Sequence, residues 1–260
     1  MTFTPESAFS ALPRVFGQEA ADHLAHLRVC VVGMGGVGSW AVESLARTGV
    51  GHLTIIDHDD VSISNINRQL HAFSDTVGEA KVKLMEQRIR SINDQCDVNA
   101  IDDFLVDANL PDYLDQQFDV VIDAIDSIRF KVAMIYFCKR NKIPVITTGA
   151  AGGRTDPLAV EVADLSLTWN DALAAKVRKR LRADYGYSRN PKHRFGIECV
   201  FSREQPVYPD NNGGVSRARP GVAGASLDCE QGYGSLSMVT GTFGLVAASR
   251  ALKLALSKKS

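Results

Sequence analysis

The sequence lacks the paired cysteines of a disulfide scaffold or a zinc-binding module. Its five cysteines, Cys30, Cys96, Cys138, Cys199 and Cys229, form no C-x-x-C pair. An odd number of cysteines scattered through predicted strands and helices is typical of reduced thiols in a cytoplasmic protein. We therefore expect no disulfide framework and no structural zinc ion.

An excess of charge of either sign is also absent. The 260 residues carry a formal net charge of -1, which gives the chain as a whole no electrostatic attraction for nucleic acid or membranes. The first residues lack the basic and apolar regions of a signal peptide, so we expect a cytoplasmic location. With 45% hydrophobic and 23% charged residues, the chain can bury a sizeable core.

Residues 231–249 carry no charge and reach the length of a membrane span. The run is rich in glycine, serine and threonine, whereas a membrane span is dominated by large apolar side chains. Small residues let two helices approach closely. We predict a buried helix packed against another helix, and no membrane association.

A glycine-rich turn is the feature around which the rest of the sequence is organised. Residues 28–32 have the composition of a buried strand, and residues 39–48 have the apolar spacing of a helix. Between them lie the glycines of a G-x-G-G-x-G motif, Gly33, Gly35, Gly36 and Gly38. Glycine lets the backbone turn tightly beside a ligand, and the N-H groups that open the helix attract negative charge. We interpret the motif as a phosphate-binding turn.

A second predicted strand, residues 52–56, is followed directly by Asp57. In sheets of this kind an acidic side chain at that position accepts hydrogen bonds from ribose hydroxyls. Strands and helices go on alternating, with helices predicted at 79–92, 109–115 and 130–141 and strands at 98–101, 118–122 and 144–148. Right-handed crossovers then give a Rossmann-like α/β fold, a mostly parallel sheet with helices on both faces.

We expect one domain with three parts. They are a helical preface at residues 1–27, including a helix at 18–27, a nucleotide-binding core at 28–150, and a substrate- and dimer-side half at 151–260. The last part opens with a strand at 159–163 and a helix at 170–185. A tract rich in Gly, Pro, Asn and Arg follows to about residue 225. It is too long for an ordinary connection, so we interpret it as a functional or mobile loop.

Polar side chains follow the second predicted strand. Asp59, Asn67, Arg68 and Gln69 lie in the loop after it, and Lys81 is in the next predicted helix. Two cations beside a glycine turn suit a polyphosphate longer than a pyrophosphate bridge, so we predict ATP. Alternatively, the two are surface ion-pair partners of nearby carboxylates. The Walker signature G-x-x-x-x-G-K-[ST] is absent, which argues against a P-loop kinase or GTPase.

Two carboxylates come at the end of the buried strand at 118–122. Asp123 and Asp126 stand in Val-Ile-Asp-Ala-Ile-Asp-Ser, and the carboxyl ends of strands border the ligand crevice of open α/β sheets. We therefore expect at least one of them to face the nucleotide and to hold Mg²⁺ on its phosphates. The alternative for Asp126 is that it caps the following helix.

Five separated motifs agree in order with those of a known family. They are the glycine turn, Asp57-x-Asp59-Asp60-Val, Ser64-Asn-x-Asn67-Arg68-Gln69, Lys81 and Asp126. Over residues 14–150 this set resembles that of the ubiquitin-activating-enzyme-like adenylyltransferases, the ThiF, MoeB and HesA superfamily. Members of that superfamily activate the sulfur carriers of thiamine and molybdopterin synthesis.

Further segments are similar to those of one branch, the tRNA threonylcarbamoyladenosine dehydratases. They are Val-Ile-Asp-Ala-Ile-Asp-Ser-Ile-Arg-Phe-Lys, Lys142-Ile-Pro-Val-Ile-Thr-Thr-Gly-Ala-Ala-Gly-Gly, Cys199-Val-Phe-Ser, Asp228-Cys229 and Met238-Val-Thr-Gly-Thr-Phe-Gly. The sulfur-carrier-activating relatives usually bear two C-x-x-C zinc pairs in the C-terminal half. Their absence here favours the dehydratase branch.

The resemblance implies an ATP-dependent dehydration. In that branch the threonyl carboxylate of a modified adenosine in tRNA becomes an acyl-adenylate, and the neighbouring carbamoyl group closes onto the activated carbonyl and displaces AMP. The predicted catalytic residues are Arg68, Lys81, Asp126, which also holds the metal, and Arg14. The predicted cofactor-binding residues are Gly33, Gly35, Gly36, Gly38, Asp57, Asp59, Asn67, Gln69 and Asp123.

The resemblance also implies partners. An arginine at the place of Arg14 reaches the ATP site of the partner subunit in the superfamily, so we expect a homodimer. Some relatives use a cysteine near the position of Cys229, which is here either a functional thiol or a small buried side chain. Sulfur-relay proteins are accordingly a further possible class of partner.

A local basic tract points to tRNA independently. Residues 176–219 have a net charge of +7, against -8 for the rest of the chain. Five of these cations fall on the predicted helix at 170–185, namely Lys176, Arg178, Lys179, Arg180 and Arg182. We predict that they bind tRNA phosphates without reading sequence. The alternative is a solvated helix face.

Three other functions are consistent with parts of the pattern. An activator of a ubiquitin-like sulfur carrier would exchange ATP with pyrophosphate only in the presence of a Gly-Gly-tailed protein. A nucleotide-sensing scaffold would bind ATP without releasing pyrophosphate. An NAD-dependent oxidoreductase would bind NAD. The dehydratase function predicts a tRNA nucleoside that loses one water.

Overall fold

The computed structural model describes residues 8–114, 118–210, 213–217 and 234–257. Its helices are α1 (Pro13–Phe16), α2 (Gln18–Leu24), α3 (Gly38–Arg47), α4 (Lys81–Ile92), α5 (Leu110–Leu114), α6 (Ile128–Arg140), α7 (Ala172–Asp184) and α8 (Ser237–Leu256). Its strands are β1 (Arg28–Val32), β2 (His52–Ile56), β3 (Asp97–Ile101), β4 (Val120–Asp123), β5 (Val145–Thr148), β6 (Val160–Asp164), β7 (Glu198–Ser202), β8 (Tyr208–Pro209) and β9 (Val215–Ser216).

Strands β1 to β7 form a single sheet in the order β3-β2-β1-β4-β5-β7-β6. Every neighbouring pair in it is parallel except β6 and β7, which are antiparallel. The mostly parallel Rossmann-like sheet predicted from the sequence is confirmed. Because β5 pairs directly with β7, the sheet continues from residues 28–150 into the half that follows them.

Helices cover both faces of the sheet, as the alternation along β1 illustrates. Val29 and Val31 belong to the core that contains α3, α4 and α8. Cys30 and Val32 belong to the opposite core, which contains α5, α6 and α7. Successive strand residues point to opposite faces, so an apolar run without alternation is what a strand buried on both sides requires.

The uncharged segment predicted as a buried helix is largely α8, which packs on α3. A Cβ atom on Gly244 would lie 2.4 Å from the Val37 carbonyl oxygen, and one on Gly241 would lie 3.5 Å from the Trp40 ring. The small residues therefore allow close approach of the two helices. Length and composition alone would let α8 cross a membrane, but 56% of its most apolar stretch of 18 residues is buried inside this structure.

The prediction of one long loop to about residue 225 was wrong, because β7 lies within it. Strand β7 pairs with β5 on one side and β6 on the other, and Cys199, Val200 and Phe201 in it are completely buried. Its stability comes from these distant partners and not from a periodic local pattern. The four cysteines in the described part of the chain are free thiols, whereas Cys229 lies outside the described residues.

The sheet topology determines where a ligand can bind. From the adjacent strands β1 and β4 the chain builds the sheet in opposite directions, adding β2 and β3 on one side and β5 and β7 on the other. Such a switch point leaves a crevice outside the carboxyl ends of the strands. The glycine motif follows β1, Asp57 follows β2, and Asp126 follows β4, so all three reach this edge of the sheet.

Candidate functional site

A cleft of about 860 Å³ lies at the switch point. Its size falls in the range of small-molecule sites, ~300–1,000 Å³. Ten predicted site residues line it, namely Gly33, Gly35, Gly36, Asp57, Asp59, Arg68, Gln69, Lys81, Asp126 and Lys176. The backbone after β5 and the beginning of α7 complete the wall at the other end.

The positions in the turn require glycine for different structural reasons. Gly33 has φ of +93°, and a Cβ atom on it would lie 2.8 Å from the Ala124 carbonyl oxygen. A Cβ atom on Gly38 would lie 1.7 Å from the Gly33 carbonyl oxygen, so both glycines are required by the packing of strand and helix. Gly35 is different, because within the described part of the chain the nearest atom to its added Cβ is 3.9 Å away. Its bare backbone is open to a ligand.

Asp57 ties the glycine turn to the loop after β2. Its carboxylate accepts hydrogen bonds from the Met34 N-H at 2.5 Å and from the Asp59 N-H at 2.8 Å. Burial raises the pKa of Asp57, while the nearby Lys81 and the two backbone donors oppose this rise. Each carboxylate oxygen accepts one of these bonds and keeps a lone pair for a ribose hydroxyl.

Lys81 is the first residue of α4 and points its ammonium group to the same loop. Its Nζ atom lies 2.7 Å from Asp59 Oδ2, and Lys81 is 5% exposed as a residue. The other oxygen of Asp59 lies 2.9 Å from His58 Nε2. The His58 ring stacks on Phe104, with 3.1 Å between the ring centroids. The ion pair proposed as an alternative for Lys81 does form, but it lies inside the cleft.

Arg68 has no carboxylate partner within ion-pair distance in the part of the chain that the structure describes. Its guanidinium donates to the Ser64 carbonyl oxygen at 2.6 Å and to Asn67 Oδ1 at 3.1 Å. Asn67 donates in turn to the Ser235 carbonyl oxygen at 2.7 Å. Asn67 therefore supports Arg68 and anchors the loop, and it is not among the residues that line the cleft. The surface ion pair considered for Arg68 does not form among the described residues.

The two acidic residues after β4 have separate environments. Asp126 is exposed on the cleft wall, and its carboxylate has no hydrogen-bond or ion-pair partner among the described residues. The N-cap of α6 is Ser127, whose side chain makes no capping bond either. The helix-capping alternative for Asp126 is thus wrong.

Asp123 does not face the cleft, contrary to its predicted contact with the nucleotide. It is 0% exposed and lies 2.8 Å from Lys131 Nζ. It also accepts hydrogen bonds from Thr147 Oγ1 at 2.6 Å and from the Ile125 N-H at 3.2 Å. Its carboxylate is fully occupied in fixing the turn that carries Asp126.

The far end of the cleft is formed by residues that we call the acceptor wall. It comprises the loop at residues 149–152 with Ala172, Leu173 and Lys176 of α7. A buried pair, Arg154 and Asp171, holds this loop from behind, with 3.7 Å between Arg154 Nη2 and Asp171 Oδ2.

The five basic residues predicted on one helix do lie on α7 but do not form one stripe. Arg178 donates to Thr168 Oγ1, and Arg182 donates to the Ser188 carbonyl oxygen and lies over the Phe195 ring. Arg180 pairs with Asp184 on the helix surface. Lys176 and Lys179 are exposed without such partners in the described structure.

Arg14 lies on α1, is exposed, and does not line the cleft of its own chain. Sequence reasoning gave no role to Lys131, Arg154, Asp171 and Phe104. No sequence pattern marks the burial of Lys131, because lysine is almost never fully buried unless it is paired. No local pattern links Arg154 to Asp171, since they meet only after β6 folds back on the sheet.

The comparison with known proteins agrees with this geometry. The ThiF family model matches residues 9–260. The chain is 49% identical to the tRNA threonylcarbamoyladenosine dehydratase of Escherichia coli (strain K12) over 251 residues, which are 96% of this chain and 94% of the relative. It is 47% identical to the enzyme of the same name from Haemophilus influenzae (strain ATCC 51907 / DSM 11121 / KW20 / Rd) over 98% of this chain and 95% of the relative.

Solved structures extend the likeness to three dimensions. The structure of E. coli tRNA N6-threonylcarbamoyladenosine dehydratase in complex with ATP matches with a TM-score of 0.87 and 44% identity, over 100% of this chain and 98% of that one. The AMP complex of that enzyme matches with a TM-score of 0.86. The protein described here therefore belongs to the ThiF family.

Proposed function

We propose that this protein is an ATP-dependent tRNA dehydratase that cyclises threonylcarbamoyladenosine through an acyl-adenylate. The observation that carries the proposal is the convergence, on one cleft, of an open glycine turn, a ribose-binding acid, two cations and an unpartnered carboxylate. The dehydratases that resemble it over nearly the whole chain support the same conclusion.

ATP fits the cleft with its adenosine near β2 and its phosphates on the glycine turn. Asp57 accepts hydrogen bonds from the ribose. The N-H groups that open α3, Lys81 and Arg68 surround the triphosphate, and the Gln69 side chain lies on the same wall. Oxygen Oε1 of Gln69 is buried without a hydrogen-bond partner in the described structure, and we assign this amide to orienting the phosphates.

Asp126 is the residue that we assign to Mg²⁺. A free carboxylate beside a polyphosphate is the oxygen donor that Mg²⁺ takes, with water and phosphate oxygens as its other ligands. The ion neutralises phosphate charge when it is bound. Asp57 and Asp59 lie close enough together to share a metal ion. Their carboxylates, however, already accept hydrogen bonds from backbone N-H groups or pair with Lys81.

The reaction balances without a covalent enzyme intermediate. An oxygen of the threonyl carboxylate bonds to the α-phosphorus, and the bond to pyrophosphate breaks. The carbamoyl group then bonds to the acyl carbon, the acyl C-O bond to AMP breaks, and one proton is released. The product lacks one water, and ATP has become AMP and pyrophosphate. Arg68 and Lys81 stabilise the charge that develops on the phosphates.

The tRNA approaches from the side of α7. Lys176 stands at the cleft and Lys179 is exposed on the same helix, where each attracts phosphate groups by charge alone. Arg14 is placed on the surface and available to complete the cleft of a second copy in a homodimer. We assign the whole chain to a single adenylation domain acting in the cytoplasm.

Product analysis tests the proposal directly. Protein, ATP, Mg²⁺ and tRNA bearing threonylcarbamoyladenosine are incubated, and the nucleosides are weighed after digestion at neutral pH. We expect the modified nucleoside to lose one water and pyrophosphate to appear with it. Pyrophosphate release that needs a Gly-Gly-tailed protein and no tRNA would identify a sulfur-carrier activator instead.

A further inference from the structure

The acceptor wall is held by two charged residues that do not line the cleft. Arg154 is 2% exposed and Asp171 is 4% exposed, and neither side chain belongs to the lining. Removing two charges from water is costly, and such a pair is often no more stable than apolar side chains of the same volume. The contacts that this pair makes therefore indicate what it does beyond stabilising the fold.

Arg154 donates hydrogen bonds to three backbone carbonyl groups. Its Nη1 atom donates to the carbonyl oxygens of Ala150 and, at 3.3 Å, Gly152, both in the acceptor wall. Its Nη2 atom donates at 2.8 Å to the carbonyl oxygen of Asn170, which has φ of +51° and lies two residues before the first residue of α7. The planar guanidinium thus fixes the loop after β5 relative to the beginning of α7.

Asp171 holds the same two elements from the other side. Its Oδ2 atom accepts the Ala150 N-H at 3.0 Å, and its Oδ1 atom accepts the Ala174 N-H at 2.8 Å as the N-cap of α7. A Cβ atom on Gly149 would lie 2.0 Å from Asp171 Oδ2, so the loop and the carboxylate are in close contact. Together the two residues make five hydrogen bonds to the backbone of the loop and of the beginning of α7.

We propose that Arg154 and Asp171 are positioning residues that hold the acceptor wall so that the carbamoyl group, and not water, reaches the acyl-adenylate. This inference rests on the proposed function. Attack by the carbamoyl group forms the ring and releases AMP and a proton. Attack by water also releases AMP, but it regenerates the threonyl carboxylate. A displaced wall therefore converts ATP into AMP and pyrophosphate without product.

The test compares AMP formed with cyclic nucleoside formed, in the full-length protein with tRNA. The unaltered protein should form about one AMP per cyclic nucleoside, as the reaction requires. Arg154→Gln combined with Asp171→Asn removes both charges together, so no buried charge is left unpaired, and asparagine preserves the helix cap. We expect the AMP-to-product ratio to rise severalfold while ATP affinity stays within about twofold.

Two further variants keep the result decisive. Arg154→Lys retains the positive charge but lacks the planar guanidinium, and we expect an intermediate AMP-to-product ratio. This variant still tests the proposal if the protein with both substitutions fails to fold. Arg250→Gln is the control, because Arg250 forms an arginine-carboxylate pair with Glu198 that is more exposed and lies away from the cleft. Its ratio should stay unchanged.

A ratio that stays near one in both Arg154 variants would overturn the positioning role, even if total turnover falls. Loss of ATP affinity by the same factor as product formation would also overturn it, since the pair would then serve the nucleotide end. If the unaltered protein forms no cyclic nucleoside at all, the proposed function itself fails, which is a distinguishable outcome.

Discussion

Lys81 and Asp59 form an ion pair of 2.7 Å within the cleft, in which the lysine side chain is 6% exposed and the carboxylate side chain 51% exposed. The pair holds the ammonium group beside the glycine turn before any anion arrives. A triphosphate brings more negative charge than one carboxylate, so we expect Lys81 to move its main interaction from Asp59 to the phosphates. We therefore expect adenylation to depend on Lys81.

Replacing Lys81 by methionine should lower turnover about 10²–10³-fold, the usual effect of losing one donor to a charged transition state. ATP affinity should fall much less. Lys83→Met is the matched control, because Lys83 is exposed on the same helix. Isotope exchange between pyrophosphate and ATP in the presence of tRNA measures the step. Weaker ATP affinity with unchanged turnover at saturating ATP would mean that Lys81 contributes only to ground-state binding.

Substitution of Gly35 should affect ATP binding without affecting the stability of the fold. Alanine at this position meets no atom closer than 3.9 Å, so the melting temperature should not change, whereas an added methyl group facing the phosphates should weaken ATP binding at least about tenfold. Gly33→Ala is the contrasting variant, because its φ of +93° and a contact of 2.8 Å strain the fold. It should lower the melting temperature by several degrees. Unchanged ATP affinity in Gly35→Ala would place the phosphates elsewhere.

Substitution of Asp126 should change the metal requirement. Asp126→Asn removes the carboxylate that we assign to Mg²⁺, and the Mg²⁺ concentration for half-maximal activity should rise about tenfold or more. Ser127→Ala is the control, since the Ser127 side chain makes no capping bond in α6. Activity is titrated with Mg²⁺ at constant ATP. An identical Mg²⁺ requirement in both variants would remove Asp126 from the metal site.

Helix α7 should divide into residues that bind tRNA and residues that support the fold. Lys176→Glu and Lys179→Glu should each weaken tRNA binding and reduce its salt dependence by about one charge. Arg182→Met should instead lower the melting temperature, because Arg182 contacts Ser188 and the Phe195 ring. Filter binding across a series of salt concentrations distinguishes the two groups. Lysine variants that bind tRNA normally would move the tRNA site away from this helix.

His71 should make the protein sensitive to acid. It is 3% exposed, neither ring nitrogen has a hydrogen-bond partner in the described structure, and burial lowers its pKa from 6.5 to about 4. Between these values the unfolded chain binds a proton that the folded chain does not, so stability is lost as the pH falls through this range. The melting temperature of His71→Phe should fall less between about pH 7 and about pH 5 than that of the unaltered protein.

The matched control for this prediction is His26→Gln, because His26 is exposed. Its melting temperature should follow that of the unaltered protein across the same range. If His71→Phe also follows the unaltered protein, His71 does not contribute to the acid sensitivity.

The fold was predictable where local chemistry marks it. Strands β1 and β2 have the predicted boundaries, since an apolar β-branched run stops at Gly33 in one case and at Asp57 in the other. Strand β7 was missed because five residues among glycines and prolines carry no period, and its pairing with β5 and β6 is made at long range.

The placement of these residues around the cleft was predictable to the same extent. Asp57, Lys81 and Asp126 follow strand ends or open a helix, and the parallel sheet brings such positions together. Asp123 and Arg154 show the limit of the approach. Whether a charged side chain faces the cleft or a buried partner depends on its rotamer and neighbours, which sequence spacing does not determine.

Labelling the threonyl carboxylate of the tRNA nucleoside with ¹⁸O tests the central claim most directly. If a carboxylate oxygen attacks the α-phosphorus and AMP then leaves, one labelled oxygen must remain on the phosphate of AMP. We predict AMP that carries one ¹⁸O atom for each cyclic nucleoside formed. Unlabelled AMP, or ADP and phosphate in its place, would contradict the acyl-adenylate mechanism.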